Sequence, residues 1–217
     1  MFKDTKTIIF DWDGTLHESM VIYYDAFTVA YNHLVSRGYA KPRSFSKEEV
    51  SKFLGVNPKD MWTSVLPTLT DQIFSEASQM VSDAMAKAIA EKKARLYPHA
   101  IEVLQYLKEK GYVLVYLSNS KNYYMDAMRN AFDLDRFFSH YFVSEMYQYI
   151  PKKNILERVK DQLKSPMVMI GDRELDIETG RYNNIKTIGC SYGYGSSDEF
   201  KDADLVISDL SEILSLF

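Results

Sequence analysis

The stretch that most constrains this chain is Thr7-Ile8-Ile9-Phe10-Asp11-Trp12-Asp13-Gly14-Thr15-Leu16. A β-branched and aromatic run stops at two carboxylates one residue apart, and Gly and Thr follow at once. Such a run is expected to form a strand buried on both faces, as in a parallel sheet covered by helices. Open parallel sheets bind their ligands at the carboxyl ends of the strands, where Asp11 and Asp13 would lie. Strand residues two apart share a face, so a backbone extended through Asp13 would turn both carboxylates to one ligand. Gly14 permits a tight turn, and the backbone N–H groups at Gly14 and Thr15 are expected to receive a phosphate. Two adjacent carboxylates repel unless a cation or a proton lies between them. Mg²⁺ suits such a pair, because it takes hard oxygen ligands, few of them carboxylates. One carboxylate can attack phosphorus, and the other can serve as general acid and then as base. The same Asp-Gly-Thr run also makes an ordinary turn, so the chemistry depends on the rest of the chain.

The chain has 217 residues, enough for one large or two small domains with a substantial core. Its net charge of -4 argues against nucleic acid or an anionic membrane as the main partner. Cys190 is the single cysteine, which excludes an intramolecular disulfide and a Cys-rich zinc site. The N-terminus runs into the first strand without an apolar leader, and no apolar run approaches the ~20 residues that span a bilayer. A soluble cytoplasmic protein, monomer or homodimer, is expected.

After Leu16 the periodicity becomes helical. Ile22, Ala26, Val29, Ala30, His33 and Leu34 predict a helix from Ser19-Met20 to about Ser36, stopped at Gly38. Ser46 and Glu49 form a capping box for a short helix ending at Gly55. Asn57-Pro58 opens a third helix that Pro67 closes. A long Ala-rich helix runs from Thr70 or Asp71 to about Ala94. Tyr23, Tyr24 and Trp62 are expected on the inner face or in the core of this helical segment. From Pro98 onward helices alternate with strands at 112–117, 140–143, 167–170, 185–190 and 204–207. This alternation predicts right-handed crossovers and an α/β fold, a Rossmann-like, mostly parallel sheet. The core comprises residues 1–16 and 96–217, and residues 17–95 form an inserted all-α domain.

Four strand ends or helix starts carry polar groups: Asp11 with Asp13, Ser118 with Asn119, Lys152 or Lys153, and Asp172 with Asp176. Each alone has an ordinary role, as helix cap, solvated lysine or turn carboxylate. Together they fall on one edge of one sheet, in an order that makes a single chemical site.

Asp11-Trp12-Asp13-Gly14-Thr15-Leu16, then Leu117-Ser118-Asn119, then a lysine, then Gly171-Asp172-Arg173-Glu174-Leu175-Asp176 resembles the four ordered motifs of the haloacid dehalogenase superfamily. The helical insert, Tyr97-Pro98 and the tail from Ile188 to Gly195 are similar to the capped, phosphoglycolate phosphatase-like subgroup. The resemblance implies a Mg²⁺-dependent phosphatase acting on a small phosphorylated metabolite. Asp11 would be the nucleophile, and Asp13 the acid that protonates the leaving oxygen and then activates water. Ser118 and the Asn119 backbone would hold the phosphoryl group, and the lysine would neutralise charge. Mg²⁺ would rest on Asp11, the Asp13 main-chain carbonyl and Asp172, with Asp176 in support. The helical insert would act as a cap that excludes water and selects the substrate. The family often has Leu or Met where Trp12 stands, a change of packing. Pro151 precedes Lys152-Lys153, which leaves either lysine eligible, and the spacing to Ile155-Leu156 favours Lys152.

Asp13 favours phosphoryl chemistry over attack on carbon, since dehalogenases of the superfamily lack this second carboxylate. A sugar-phosphate phosphomutase would share every catalytic residue. A phospho-accepting regulatory module belongs to a different class, and it needs neither a cap nor Asp13. Arg173 is a further phosphate-binding candidate. Tyr123-Tyr124 and Tyr147-Gln148-Tyr149 lie near the motif loops, where packing is the expected use. His17 is expected to pack in the hinge, and His33, His99 and His140 are too scattered to form a metal site.

Overall fold

The computed structural model describes residues 2–56, 58–66 and 68–217. The expected helix start at Asn57 and stop at Pro67 lie outside the described residues. The chain divides into two compact units, residues 1–18 with 96–217, and residues 19–95.

The first unit is a six-stranded sheet built on β1 (Thr7–Phe10), in which all four side chains are buried. The other strands are β2 (Val113–Ser118), β3 (His140–Val143), β4 (Met167–Gly171), β5 (Lys186–Cys190) and β6 (Leu205–Ile207). Their order is β3-β2-β1-β4-β5-β6, and every pairing is parallel. The sheet grows from β1 one way through β2 and β3, then the other way through β4, β5 and β6. The strand order therefore reverses between β1 and β4, and ligand crevices of doubly wound sheets open at such a reversal.

The regular segments follow local chemistry. Isolated apolar runs give strands, and 3.6-residue periodicity gives the flanking helices. Those of the first unit are α5 (Ala100–Glu109), α6 (Asn122–Phe132), α7 (Lys152–Val159), α8 (Glu174–Tyr182) and the short α9 (Ile213–Leu216). α7 places Ile155, Leu156 and Val159 on a sheet face made by Ile9, Val115, Leu117 and Met169. It ends at Val159 and passes into a 3₁₀ turn at Lys160–Gln162.

Among the described residues of 19–95 every regular element is a helix. These are α1 (Met20–Ser36), α2 (Lys47–Ser51), α3 (Pro58–Val65) and α4 (Asp71–Ala90). The Ser46–Glu49 capping box is formed in both directions. α4 ends four residues earlier than Ala94, because Lys92 turns into the left-handed region at φ 57°. Trp62 stacks on Phe27 at 5.5 Å, and Phe45 meets the same ring edge-on at 5.1 Å. Trp62 thus belongs to the core of this unit, while Tyr24 donates to the Phe45 carbonyl. His33 pairs with Glu76 at 2.5 Å and His140 stacks on Phe142.

Candidate active site at the carboxyl edge of the sheet

Asp11 directly follows β1, and its N–H donates to the Ile170 carbonyl at 2.9 Å. The β1–β4 ladder thereby holds the first carboxylate at the point of strand reversal. Asp172 follows β4, and Asp176 lies in the first turn of α8. The side chains of Asp11, Asp172 and Asp176 are buried and bring oxygens within 4.8 Å of one another. Asp176 is fixed by the Arg173 N–H at 3.1 Å. Asp172 accepts from the Tyr194 N–H at 2.7 Å and from the Thr15 hydroxyl at 3.4 Å.

Lys152 opens α7, and its ammonium reaches Asp11 Oδ1 at 2.7 Å and Asp176 Oδ1 at 2.6 Å. Lys153 turns away and pairs with Glu178 on the surface at 2.5 Å. Successive helical residues are about 100° apart around the axis, so only one of two adjacent lysines can enter the site. One cation among three buried carboxylates leaves a charge deficit. Burial, with the negative charge of Asp176, pushes the Asp11 carboxyl up to about 7 against the pull of Lys152. Burial and then Asp11 raise Asp172 in the same sense. Burial would lower the Lys152 ammonium, but Asp11 and Asp176 more than offset it and the net shift is upward.

The turn after β1 departs from the sequence expectation. The strand stops at Phe10, and the chain curls so that the N–H groups of Leu16 and His17 both donate to the Trp12 carbonyl. The Asp13 carboxylate therefore lies outside the three-carboxylate group. Its Oδ1 accepts from the Tyr124 hydroxyl at 2.6 Å and lies 3.3 Å from His17 Nδ1. The Gly14 N–H donates to the His17 carbonyl, and the Thr15 N–H to that of Trp12. Both groups expected to receive a phosphate are thus occupied within the turn. Gly14, at φ 86°, has instead a steric role, since a Cβ there would land on the Asp172 carboxylate. Gly193 approaches the same side chain from the loop after β5.

Ser118 closes β2 as a buried residue in register with Val143, and Asn119 follows it at the same edge. Arg173 extends its guanidinium to Glu199 at 2.9 Å. Trp12 is fully buried and stacks on His17 at 5.8 Å with an interplanar angle of 12°. Sequence reasoning assigned neither His17 nor Tyr124 to the site. The one available signal was a Tyr in the first turn of the helix that follows the Ser118-Asn119 edge.

A doubly wound parallel sheet with buried carboxylates and one lysine at its strand reversal defines an α/β enzyme site suited to a cation and an anionic substrate. The haloacid dehalogenase-like hydrolase family model matches residues 8–190, and the chain belongs to that family. A phosphoglycolate phosphatase of Aliivibrio fischeri is 25% identical, with 100% of this chain and 98% of that protein covered. The pyrophosphatase PpaX of Anoxybacillus flavithermus is 23% identical, covering 97% and 96%. Among solved structures, a haloacid dehalogenase-like hydrolase from Streptococcus pneumoniae superposes with a TM-score of 0.80 at 23% identity, over 98% of each chain. CbbY from Rhodobacter sphaeroides, in complex with phosphate, gives 0.80 at 18% identity over 96% of each. These likenesses agree with the fold described above. Among the described residues no helix is long and apolar enough to cross a membrane.

Proposed function

We propose that this hydrolase is a Mg²⁺-dependent phosphatase that cleaves a small phosphomonoester through an aspartyl phosphate on Asp11. The observation that carries the reading is the Lys152 bridge between Asp11 and Asp176, with Asp172 in the same buried group. The donor set fits the metal: hard carboxylate oxygens gathered around one cation too few. Asp11, Asp172 and the Asp13 main-chain carbonyl would hold the ion, with Asp176 supporting them. Bound there, Mg²⁺ would offset the negative charge of the phosphoryl oxygens, the main requirement of phosphoryl transfer.

The remaining chemistry belongs to the chain. An Asp11 oxygen attacks phosphorus, the bond from phosphorus to the ester oxygen breaks, and Asp13 gives its proton to the departing oxygen. The ionised Asp13 then takes a proton from water as that water attacks phosphorus. The bond to Asp11 breaks, and inorganic phosphate leaves. Lys152 orients Asp11 and balances charge, while Ser118 and the Asn119 backbone hold the phosphoryl oxygens. The named relatives, a phosphoglycolate phosphatase and a pyrophosphatase, support hydrolysis of small phosphorylated compounds by this chain.

The test is hydrolysis of p-nitrophenyl phosphate by wild type and Asp11→Asn, each with Mg²⁺ and with EDTA. Turnover with Mg²⁺, its loss with EDTA, and a fall of about a thousandfold or more in Asp11→Asn are expected. An Asp11→Asn enzyme within tenfold of wild type would exclude the covalent route.

A further inference from the structure

Asp13 sits on the turn after β1 with a side chain 21% exposed, so solvent alone would leave its carboxylate free to rotate. A proton donor loses most of its value when its direction wanders, because transfer requires an aligned contact. The structure places two aromatic residues against this carboxylate, and both address the same oxygen. The Tyr124 hydroxyl donates to Asp13 Oδ1 at 2.6 Å and lies 3.0 Å from His17 Nδ1. His17 Nδ1 lies 3.3 Å from that Oδ1.

Both rings are themselves immobilised. His17 is fully buried, stacked on Trp12 and set edge-on to Tyr124 at 6.3 Å. The Tyr124 ring is buried on α6, and the start of that helix is fixed where the Asn122 N–H donates to Glu145 at 2.8 Å. Tyr124 comes from 111 residues away, so the contact is built by the fold and not by local chain geometry. A buried phenol needs a partner for its hydroxyl, and here that partner is the partly exposed carboxylate of the reacting turn.

We infer that Tyr124 and His17 are positioning residues that fix the Asp13 carboxylate for proton transfer, Tyr124 as the principal one. This rests on the phosphatase reading above.

Tyr124→Phe removes one oxygen and keeps the ring. The test compares first-turnover release of phenol from phenyl phosphate with that of dinitrophenol from 2,4-dinitrophenyl phosphate, whose leaving group needs no proton. Tyr124→Phe should slow the phenyl ester by about tenfold or more and leave the dinitrophenyl ester within about twofold, with KM unchanged. His17→Phe should show the same selectivity, more weakly. In an Asp13→Asn background the Tyr124→Phe change should cost nothing further, because the hydroxyl acts through that carboxylate. Equal slowing of both esters, or losses that multiply in the double variant, would overturn the inference in favour of plain packing. A wild type that hydrolyses both esters, matched by Tyr124→Phe, would overturn it alone. A wild type inert on both would overturn the phosphatase reading and this one with it.

Discussion

Two neighbouring lysines show how much one residue's direction decides. Lys152 is buried between Asp11 and Asp176, whereas Lys153 pairs with Glu178 and lies over the Tyr182 ring at the surface. Truncating the buried partner strands two carboxylates without a cation, which in other proteins costs about 3–5 kcal/mol. Lys152→Met is therefore expected to lower stability by about 3 kcal/mol in metal-free buffer at pH 8, measured by urea unfolding, and to abolish turnover. Lys153→Met removes an exposed pair worth at most ~1 kcal/mol and should leave turnover within about twofold. Comparable losses in the two variants would refute this assignment. Gly14 and Gly193 decide the space around one carboxylate. Each gives up a side chain so that the Asp172 carboxylate has room.

At the scale of elements, the Asp204 side chain reinforces the β5–β6 ladder at the sheet edge. Asp204 accepts from the Lys186 ammonium at 2.7 Å and from the Thr187 N–H at 2.9 Å. Burial raises its carboxyl, but the Lys186 and Thr187 contacts outweigh burial and hold it below the ordinary carboxylate value of 3.8. A group depressed in the folded state adds stability that is present above its unfolded pKa and is lost as pH falls through the folded one. Asp204→Asn should therefore lower stability by about 1–2 kcal/mol at pH 7. The difference from wild type should shrink as pH drops below 3.8, a trend that thermal melts across pH 2–7 would follow. A pH-independent difference would mean that the charge of Asp204 plays no part.

For the whole molecule, the organising fact is an insertion whose two ends meet on the sheet unit. His17 bridges Leu96 in antiparallel fashion, and the Tyr97 N–H donates to the Leu16 carbonyl at 2.9 Å. The strands need nothing from residues 19–95 to complete their ladders, since every pairing lies within the first unit. A chain in which residues 19–95 are replaced by a short Gly-Ser linker is expected to fold. It should keep α/β far-UV circular dichroism and a single cooperative melt. A non-cooperative melt with exposed hydrophobic surface would show that the sheet depends on the helical unit.

What the sequence determined alone was everything carried by local periodicity. The apolar run of β1, the alternation of strands and helices from Pro98 onward, the helical character of 19–95 and the Ser46 capping box all follow from neighbours a few residues apart. Because parallel sheets gather their carboxyl ends on one edge, the placement of Asp11, Ser118 and Asp172 was legible as well. What only the tertiary structure decided was the direction of each side chain at that edge. Asp13 looked paired with Asp11 on an assumption of extended backbone, but the curl around the Trp12 carbonyl turns its carboxylate to Tyr124 and His17 instead. The N–H groups of Gly14 and Thr15 looked available until the same curl occupied them. Tyr124 showed in the sequence only as a tyrosine near a motif loop, because its partner is 111 residues away. Local propensity fixes where a strand ends, whereas the orientation of a side chain beyond that end is set by contacts with chain segments distant in sequence, which no pattern of neighbours records.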